Sequence, residues 1–260
     1  MEKLSGTQTA LKIKETLAND IQENLINKGL PAPKLCVVIV GNNPASEIYV
    51  AGKIKACSKV GIQSEVYRLP ENAKESEVEE VINRLNNDST INGILLQMPL
   101  PAHLNEQKLT NLISANKDVD GLSQANLGKL LQQDETGLMG CTPYGIVKLL
   151  NAYNIDLKGK DVVIINRSLL VGKPLALMML NENATVTICH SKTKALAEKT
   201  KQADIIVVAV GKKNFLTKDM VKDDAIVIDV GINRDDTDPR IICGDVDYNN
   251  VAPKCKFITP

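Results

Sequence analysis

Short runs of valine, isoleucine and leucine recur along this chain, separated by stretches with the three-to-four-residue apolar spacing of a helix. In the first half the runs are Leu35–Gly41 and Gly93–Leu100, with a further, more polar strand expected near Ser64–Leu69. In the second they are Val162–Ile165, Ala184–Cys189, Asp204–Val210 and Ala225–Val230, with Phe257–Ile258 as a last short one. A run that is apolar at nearly every position suits a strand buried on both faces, and strands joined through helices run parallel. The alternation predicts an α/β fold with mainly parallel sheets covered on both sides. Helices are expected at Thr7–Lys28, stopped by Gly29, and at Pro44–Val60, with Pro44 in the first turn and Gly61 past the end. Two more are expected near Glu75–Leu85 and Glu106–Ser114. The polar, turn-rich stretch Gln132–Pro143 interrupts the pattern and predicts two domains, 1–139 and 140–260.

A length of 260 residues accommodates one large domain or two small ones. Lys plus Arg and Asp plus Glu both number 31, so no bulk field attracts nucleic acid or an acidic membrane, and an anionic ligand needs a local site. The six cysteines include no C-x-x-C pair and lie mostly in apolar runs, which predicts free thiols in a reducing compartment. His103 and His190 are the only histidines and neither has a partner at ligand spacing, so no metal site is expected. Met1–Gly6 does not read as a signal peptide, and runs such as Asp204–Gly211 are too short to span a bilayer. Both point to the cytoplasm.

The first strand of the second half ends in Asn166-Arg-Ser-Leu-Leu-Val-Gly172-Lys-Pro174. This is not G-x-G-x-x-G, but a strand still feeds a loop and a helix beginning near Pro174. Gly172 permits close backbone approach, and a helix N-terminus offers free N–H groups to a pyrophosphate. The plain alternative is an ordinary strand–helix loop. The next strand ends in Cys189-His190-Ser191-Lys192-Thr193, without the carboxylate that NAD-selective sites place on the ribose. Ser191 and Lys192, with Arg167 at the neighbouring strand end, suit a 2′-phosphate and favour NADP. Singly each reads as a solvated surface residue; their coincidence at two adjacent strand ends favours a site.

Tyr49 and Lys53 are spaced i, i+4 and share a helix face, with Ser46 one turn earlier and Val50, Ile54 and Cys57 on the adjoining apolar stripe. A ring beside an amine can stack on a flat ligand and deliver a proton, because a lysine removed from water releases its proton more readily. Unaided, a half-buried tyrosine and a surface lysine are the simpler reading. Gln97 shifts the balance: a glutamine closing an apolar strand needs a partner, and the lysine is one candidate. Asp120, in Asp118-Val-Asp-Gly121, can accept two N–H bonds from an aminopyrimidinone edge; alternatively it belongs to a common Asp-Gly turn.

Together these segments resemble one family. Tyr49-Val-x-x-Lys53-x-Lys-x-Cys57, Gln97-Met-Pro-Leu-Pro101, Lys117-Asp-Val-Asp-Gly121, Cys141-Thr-Pro-x-Gly145, Arg167-Ser-x-x-Val-Gly-x-Pro174, Cys189-His-Ser-Lys-Thr193 and Phe257-Ile-Thr-Pro260 are similar to the bifunctional methylenetetrahydrofolate dehydrogenase/cyclohydrolases. The match spans nearly the whole chain in order. It implies two α/β domains flanking a cleft, the second Rossmann-like and NADP-binding, and a cytoplasmic homodimer acting on tetrahydrofolate derivatives. It also implies two coupled reactions, oxidation of 5,10-methylenetetrahydrofolate with NADP⁺ and hydrolysis of the methenyl product to 10-formyltetrahydrofolate. By the same resemblance Tyr49 packs on the folate rings, Lys53 is the acid/base group, Gln97 positions it and Asp120 anchors the pterin. Asn166, Arg167, Ser168, Gly172, Ser191 and Ile232 are the implied cofactor-binding set, with Arg167 and Ser191 on the 2′-phosphate. No metal is implied.

Three departures from the family pattern stand out. Asn166 replaces a usual glycine; asparagine tolerates positive φ, but its side chain is expected to crowd a dinucleotide. Gly140 replaces a usual proline and is expected to loosen the interdomain hinge. The family continues past Thr259-Pro260 into a glycine-rich loop and a helix, so a protein ending physically at Pro260 is expected to bind folate and NADP⁺ poorly. Asn166 and the tail motivate a second reading, a non-catalytic folate- or nucleotide-binding paralogue, which the presence of Tyr49, Lys53, Gln97 and Asp120 opposes. A dehydrogenase lacking the hydrolytic step would be expected to alter the lysine machinery, and an unrelated NADP-linked dehydrogenase leaves the first-half motifs unexplained.

Overall fold

The chain begins with a two-residue strand, β1 (Glu2–Lys3), and a long helix, α1 (Gly6–Asn24). The computed structural model describes residues 1–234 and 242–260. It divides into two units: Ala10–Met139, and Met1–Thr9 together with Gly140–Pro260. The sequence boundary had assigned the first nine residues to the first domain. In the structure β1 lies parallel to the strand formed by Cys255–Ile258, and Leu4, fully buried, donates its N–H to Ile258 O.

In the Ala10–Met139 unit, β2 (Lys34–Val40) is the centre of a three-stranded parallel sheet between β3 (Gln63–Leu69) and β4 (Gly93–Leu96). Its side chains alternate between two cores. Val37 and Ile39 pack with Val50 of α2 (Pro44–Lys59) and with Leu95. Cys36, Val38 and Val40 pack with Val78, Ile82 and Leu85 of α3 (Glu75–Asn87) and with Leu109 of α4 (Glu106–Leu112). Both faces are therefore covered, which is why every β2 residue from Cys36 onward is buried. The strand expected over Gly93–Leu100 is shorter. Gln97 N still bonds to Val38 O, but a cis peptide at Met98–Pro99 follows and the ladder stops. A helix the sequence reading did not assign, α5 (Gln124–Leu131), starts at Ser123, whose hydroxyl accepts Asn126 N.

The second unit contains α6 (Cys141–Ala152), β5 (Asp161–Ile165), α7 (Gly172–Asn181), β6 (Thr185–Cys189), α8 (Leu196–Thr200), β7 (Ile205–Val208) and β8 (Ala225–Asp229). After them come a short antiparallel ribbon, β9 (Asn233–Arg234) with β10 (Ile242–Cys243), then α9 (Tyr248–Val251) and β11 (Cys255–Ile258). The six-stranded sheet has the order β1-β11-β8-β7-β5-β6, all pairs parallel. Pro143, read from sequence as part of a turn, lies in the first turn of α6, where a missing N–H costs nothing. α6 packs on α7, which packs on β5 and β6. Val163, Ile165, Ile206, Val208 and Val227 fill the core on one face, with Val251 and Ala252 from the later segment.

All six cysteines are free: Cys36, Cys189 and Cys255 are buried and Cys141 is exposed. Burial pushes the Cys36 and Cys255 thiols up to about 11. A thiol reagent at pH 8 is therefore expected to modify Cys141 in the native protein and to reach the three buried thiols only after denaturation. Peptide mapping after brief labelling checks this; early labelling of Cys36 would contradict it.

Candidate active site

Ligands of open parallel sheets bind beyond the strand carboxyl ends where the strand order reverses. In the first unit the chain leaves β2 for β3 on one side and then for β4 on the other, so this point lies between β2 and β4. Helix α2 begins there, with Asn43 Oδ1 accepting Ala45 N at 3.0 Å and Ser46 N at 3.2 Å. Val50 locks α2 onto the sheet. That leaves Tyr49, 53% exposed, and half-buried Lys53 at the rim.

Lys53 Nζ donates to Gln97 Oε1 at 3.3 Å. Gln97 Nε2 donates to Met98 O at 2.6 Å, which commits the amide nitrogen and turns Oε1 toward the lysine. Ser46 Oγ donates to the same carbonyl at 3.4 Å. A cavity of about 280 Å³ opens between Gly41, Asn43, Glu71 and Pro99–Pro101 at these strand ends.

The Asp118-Val-Asp-Gly121 loop separates its two carboxylates by task. Asp118, 1% exposed, accepts Ser123 N and Asn126 Nδ2 and closes the turn through its carbonyl to Gly121 N. Asp120 is half-buried. Lys117, to which the sequence reading gave no role, is buried and donates to the carbonyls of Leu85, Asn86 and Asp88, capping α3.

In the second unit the order reverses between β5 and β7. Asn166, the residue after β5, spans this point. Its Nδ2 donates to Ala209 O at 2.5 Å, while its Oδ1 accepts Ser168 N at 2.8 Å, Ser168 Oγ at 2.8 Å and Gly172 N at 3.0 Å. Asn166 does not adopt a positive φ, so the tolerance expected of it is unused. The free N–H groups expected at the helix start are also corrected. Gly172 N goes to Asn166, Lys173 N to Ser168 O and Leu175 N to Val171 O, and Pro174 has none. Ser168 Oγ also accepts Val171 N. An anion here must rely mainly on side chains.

Those side chains are present. Ile165 pairs with Cys189 across β5 and β6, so Arg167 and Ser191 stand the same number of residues beyond adjacent strand ends. Arg167, Ser191 and Lys192 are exposed, and their side chains make no hydrogen bond or ion pair among the described residues, although Lys192 N donates to His190 Nδ1 at 3.1 Å. A turn in which Thr193 N donates to His190 O and His190 N donates to Thr193 Oγ1 presents Ser191 and Lys192. Ile232 is 64% exposed just past β8. Gly172 also fits a tight approach: a Cβ there would lie 2.2 Å from Asn166 O. The donor set, an exposed guanidinium and ammonium with a hydroxyl and no carboxylate, suits a phosphorylated dinucleotide.

Crowding against fixed backbone costs about 1–3 kcal/mol. Gly172→Ala is therefore expected to lower the thermal midpoint by roughly 3–10 °C. An unchanged melting curve would show that the loop yields freely.

Sequence reading did not find Asp229 and Asp245. Asp245, fully buried, accepts Val210 N, Gly211 N, Lys212 N and Asn233 Nδ2. Asp229 accepts Gly231 N, Asp245 N and Val246 N, and burial raises its pKa. Two Asp residues at strand ends among glycines were the only available signal.

This geometry defines a two-unit α/β protein with a lysine–amide pair in one unit and a dinucleotide-type strand-end site in the other. The family description "Tetrahydrofolate dehydrogenase/cyclohydrolase, catalytic domain" matches residues 4–120, and its "NAD(P)-binding domain" matches residues 140–260. The chain belongs to the tetrahydrofolate dehydrogenase/cyclohydrolase family. The "Bifunctional protein FolD" of Sulfurihydrogenibium sp. is 50% identical over 258 residues, 99% of this chain and 89% of the relative. The crystal structure of the bifunctional FolD enzyme from Campylobacter jejuni superposes with a TM-score of 0.97 at 48% identity, covering 100% of this chain and 91% of its own. The Trypanosoma brucei enzyme, solved with NADP cofactor and an inhibitor, gives 0.92 at 29% identity over 98% and 88% of the two chains.

Proposed function

We propose that this chain oxidises 5,10-methylenetetrahydrofolate with NADP⁺ and hydrolyses the resulting methenyl cation to 10-formyltetrahydrofolate. The observation that carries the hydrolytic half is the contact between Lys53 and Gln97 at the β2–β4 strand ends. When bound, NADP⁺ supplies the acceptor for the hydride leaving the methylene carbon. Both substrate nitrogens already activate that carbon, so orientation is the main demand on the protein. Tyr49 offers a face for the folate rings and Asp120 a carboxylate for the aminopyrimidinone edge.

Hydrolysis adds water to the methenyl carbon, moves a proton and breaks one carbon–nitrogen bond. Lys53 holds and moves that proton, and Gln97 keeps its Nζ pointed at the reacting carbon. In the NADP-binding part, residues 140–260, Arg167 and Ser191 hold the 2′-phosphate, with Lys192 beside them. Ser168 and Gly172 shape the approach to the pyrophosphate, Asn166 braces the loop, and Ile232 covers an apolar part of the cofactor. The folate chemistry is assigned to the part within residues 1–139. The reading includes a cytoplasmic homodimer, which sedimentation and cell fractionation test. Following NADPH and methenyl absorbance together tests both activities; a protein that produces neither signal is not this enzyme.

A further inference from the structure

We propose that Asp245 is a positioning residue for the NADP-dependent step, holding the loop after β7 and the segment after β8 as one wall at the sheet's carboxyl edge; this rests on the function proposed above. Three successive backbone N–H groups, Val210, Gly211 and Lys212, converge on its carboxylate at 2.6, 3.0 and 2.7 Å. Such a concave row of N–H groups is the kind of cradle that binds an anion. Here the chain fills it from within. Asn233 Nδ2 adds a fourth bond at 2.9 Å and ties in the start of β9.

Glycine spacing shows how closely the parts are fitted. A Cβ on Gly231 would lie 2.2 Å from the Asp245 carboxyl carbon, and one on Gly244 would lie 1.9 Å from Asp229 Oδ2. Ile232, the exposed apolar residue assigned to the cofactor, directly follows Gly231. At the other end of the same loop, Ala209 O receives Asn166 Nδ2. Polar side chains thus connect the ends of β5, β7 and β8, and Asp229 N reaches Thr259 Oγ1 after β11. Asp245 is the member through which β7's loop and Ile232's segment share one anchor.

Each carboxylate oxygen accepts two donors, so an amide at this position turns an N–H₂ toward two N–H groups whichever way it sits. Asp245→Asn should release either Val210 and Gly211 or Lys212 and Asn233. Asn233→Ala removes one of the four contacts and is the milder variant. The test measures NADPH affinity by fluorescence titration, KM for NADP⁺, and hydrolysis of methenyltetrahydrofolate without cofactor, in both variants.

Losing part of a charge-assisted cluster is expected to weaken NADPH binding and raise KM for NADP⁺ about tenfold in Asp245→Asn, and less in Asn233→Ala. Hydrolysis per folded molecule should stay within about twofold, because its residues lie elsewhere in the chain. NADPH affinity unchanged in both variants overturns the proposal. Loss of hydrolysis in step with cofactor binding also overturns it, since that marks a merely structural role. If the unaltered protein fails to bind NADPH, the functional reading itself falls, an outcome distinct from both.

Discussion

Lys53→Ala is expected to fold normally and to hydrolyse the methenyl substrate about 10²–10⁴-fold more slowly than the unaltered protein, the usual contribution of a general acid–base group. The side chain sits half-buried at the rim of α2 and makes one hydrogen bond at 3.3 Å, so little packing is lost. Alanine is also the strongest helix former. Gln97 retains its bond to Met98 O and stays ordered. Oxidation of the methylene substrate should survive, since that step removes a hydride and does not route a proton through the lysine. A stopped assay for 10-formyl product, beside a far-UV spectrum, checks both halves. Hydrolysis at the unaltered rate in a folded variant would remove Lys53 from the mechanism.

Cofactor choice should show the second large effect. Arg167→Ala is expected to weaken NADP⁺ binding about tenfold and to leave NAD⁺ binding nearly unchanged, because a hydrogen bond to a charged group contributes roughly 1.5–3 kcal/mol and exposure favours the lower end. Ser191 and Lys192 remain to hold part of the phosphate, which is a second reason to expect the lower end. Salt should narrow the preference in the unaltered protein, since screening acts on exposed charges. Titration calorimetry with both cofactors at two ionic strengths measures each quantity. Equal losses for NADP⁺ and NAD⁺ would place Arg167 away from the 2′-phosphate.

Much of this was legible in the sequence because the periods of strands and helices differ. β2 could be read from its unbroken apolar run, and α2 from Pro44 to Gly61. The Tyr49–Lys53 face followed from helical spacing, and Gln97 from its place at the end of an apolar strand. Other parts were hidden for identifiable reasons. β1 has two residues, too few for any period, and its partner lies at the far end of the chain. Pro143 reads as part of a turn until its place in the first turn of α6 is known. Asn166 was legible as a departure from the family but not as a brace, because which N–H groups its oxygen collects is a matter of three-dimensional closure. Asp245 is still harder to find, since its partners lie more than thirty positions earlier and twelve positions earlier in the chain.

The pairing of β1 with β11 also bears on the order in which the protein is made. Residues 10–139 form a continuous stretch that can complete its sheet as soon as it leaves the ribosome. The other unit is interrupted: Glu2 and Lys3 are synthesised before residues 10–139, and their neighbours Phe257 and Ile258 after them. At roughly 5–20 residues per second, the opening segment waits about ten seconds or more for its partner. During that interval Leu4 has no core to enter. Once β11 emerges, closure over the intervening chain costs only an entropy that grows with the logarithm of its length, and the already folded insert shortens the flexible part. Synthesis direction therefore favours a sequence in which residues 10–139 mature before β1 and β11 can pair.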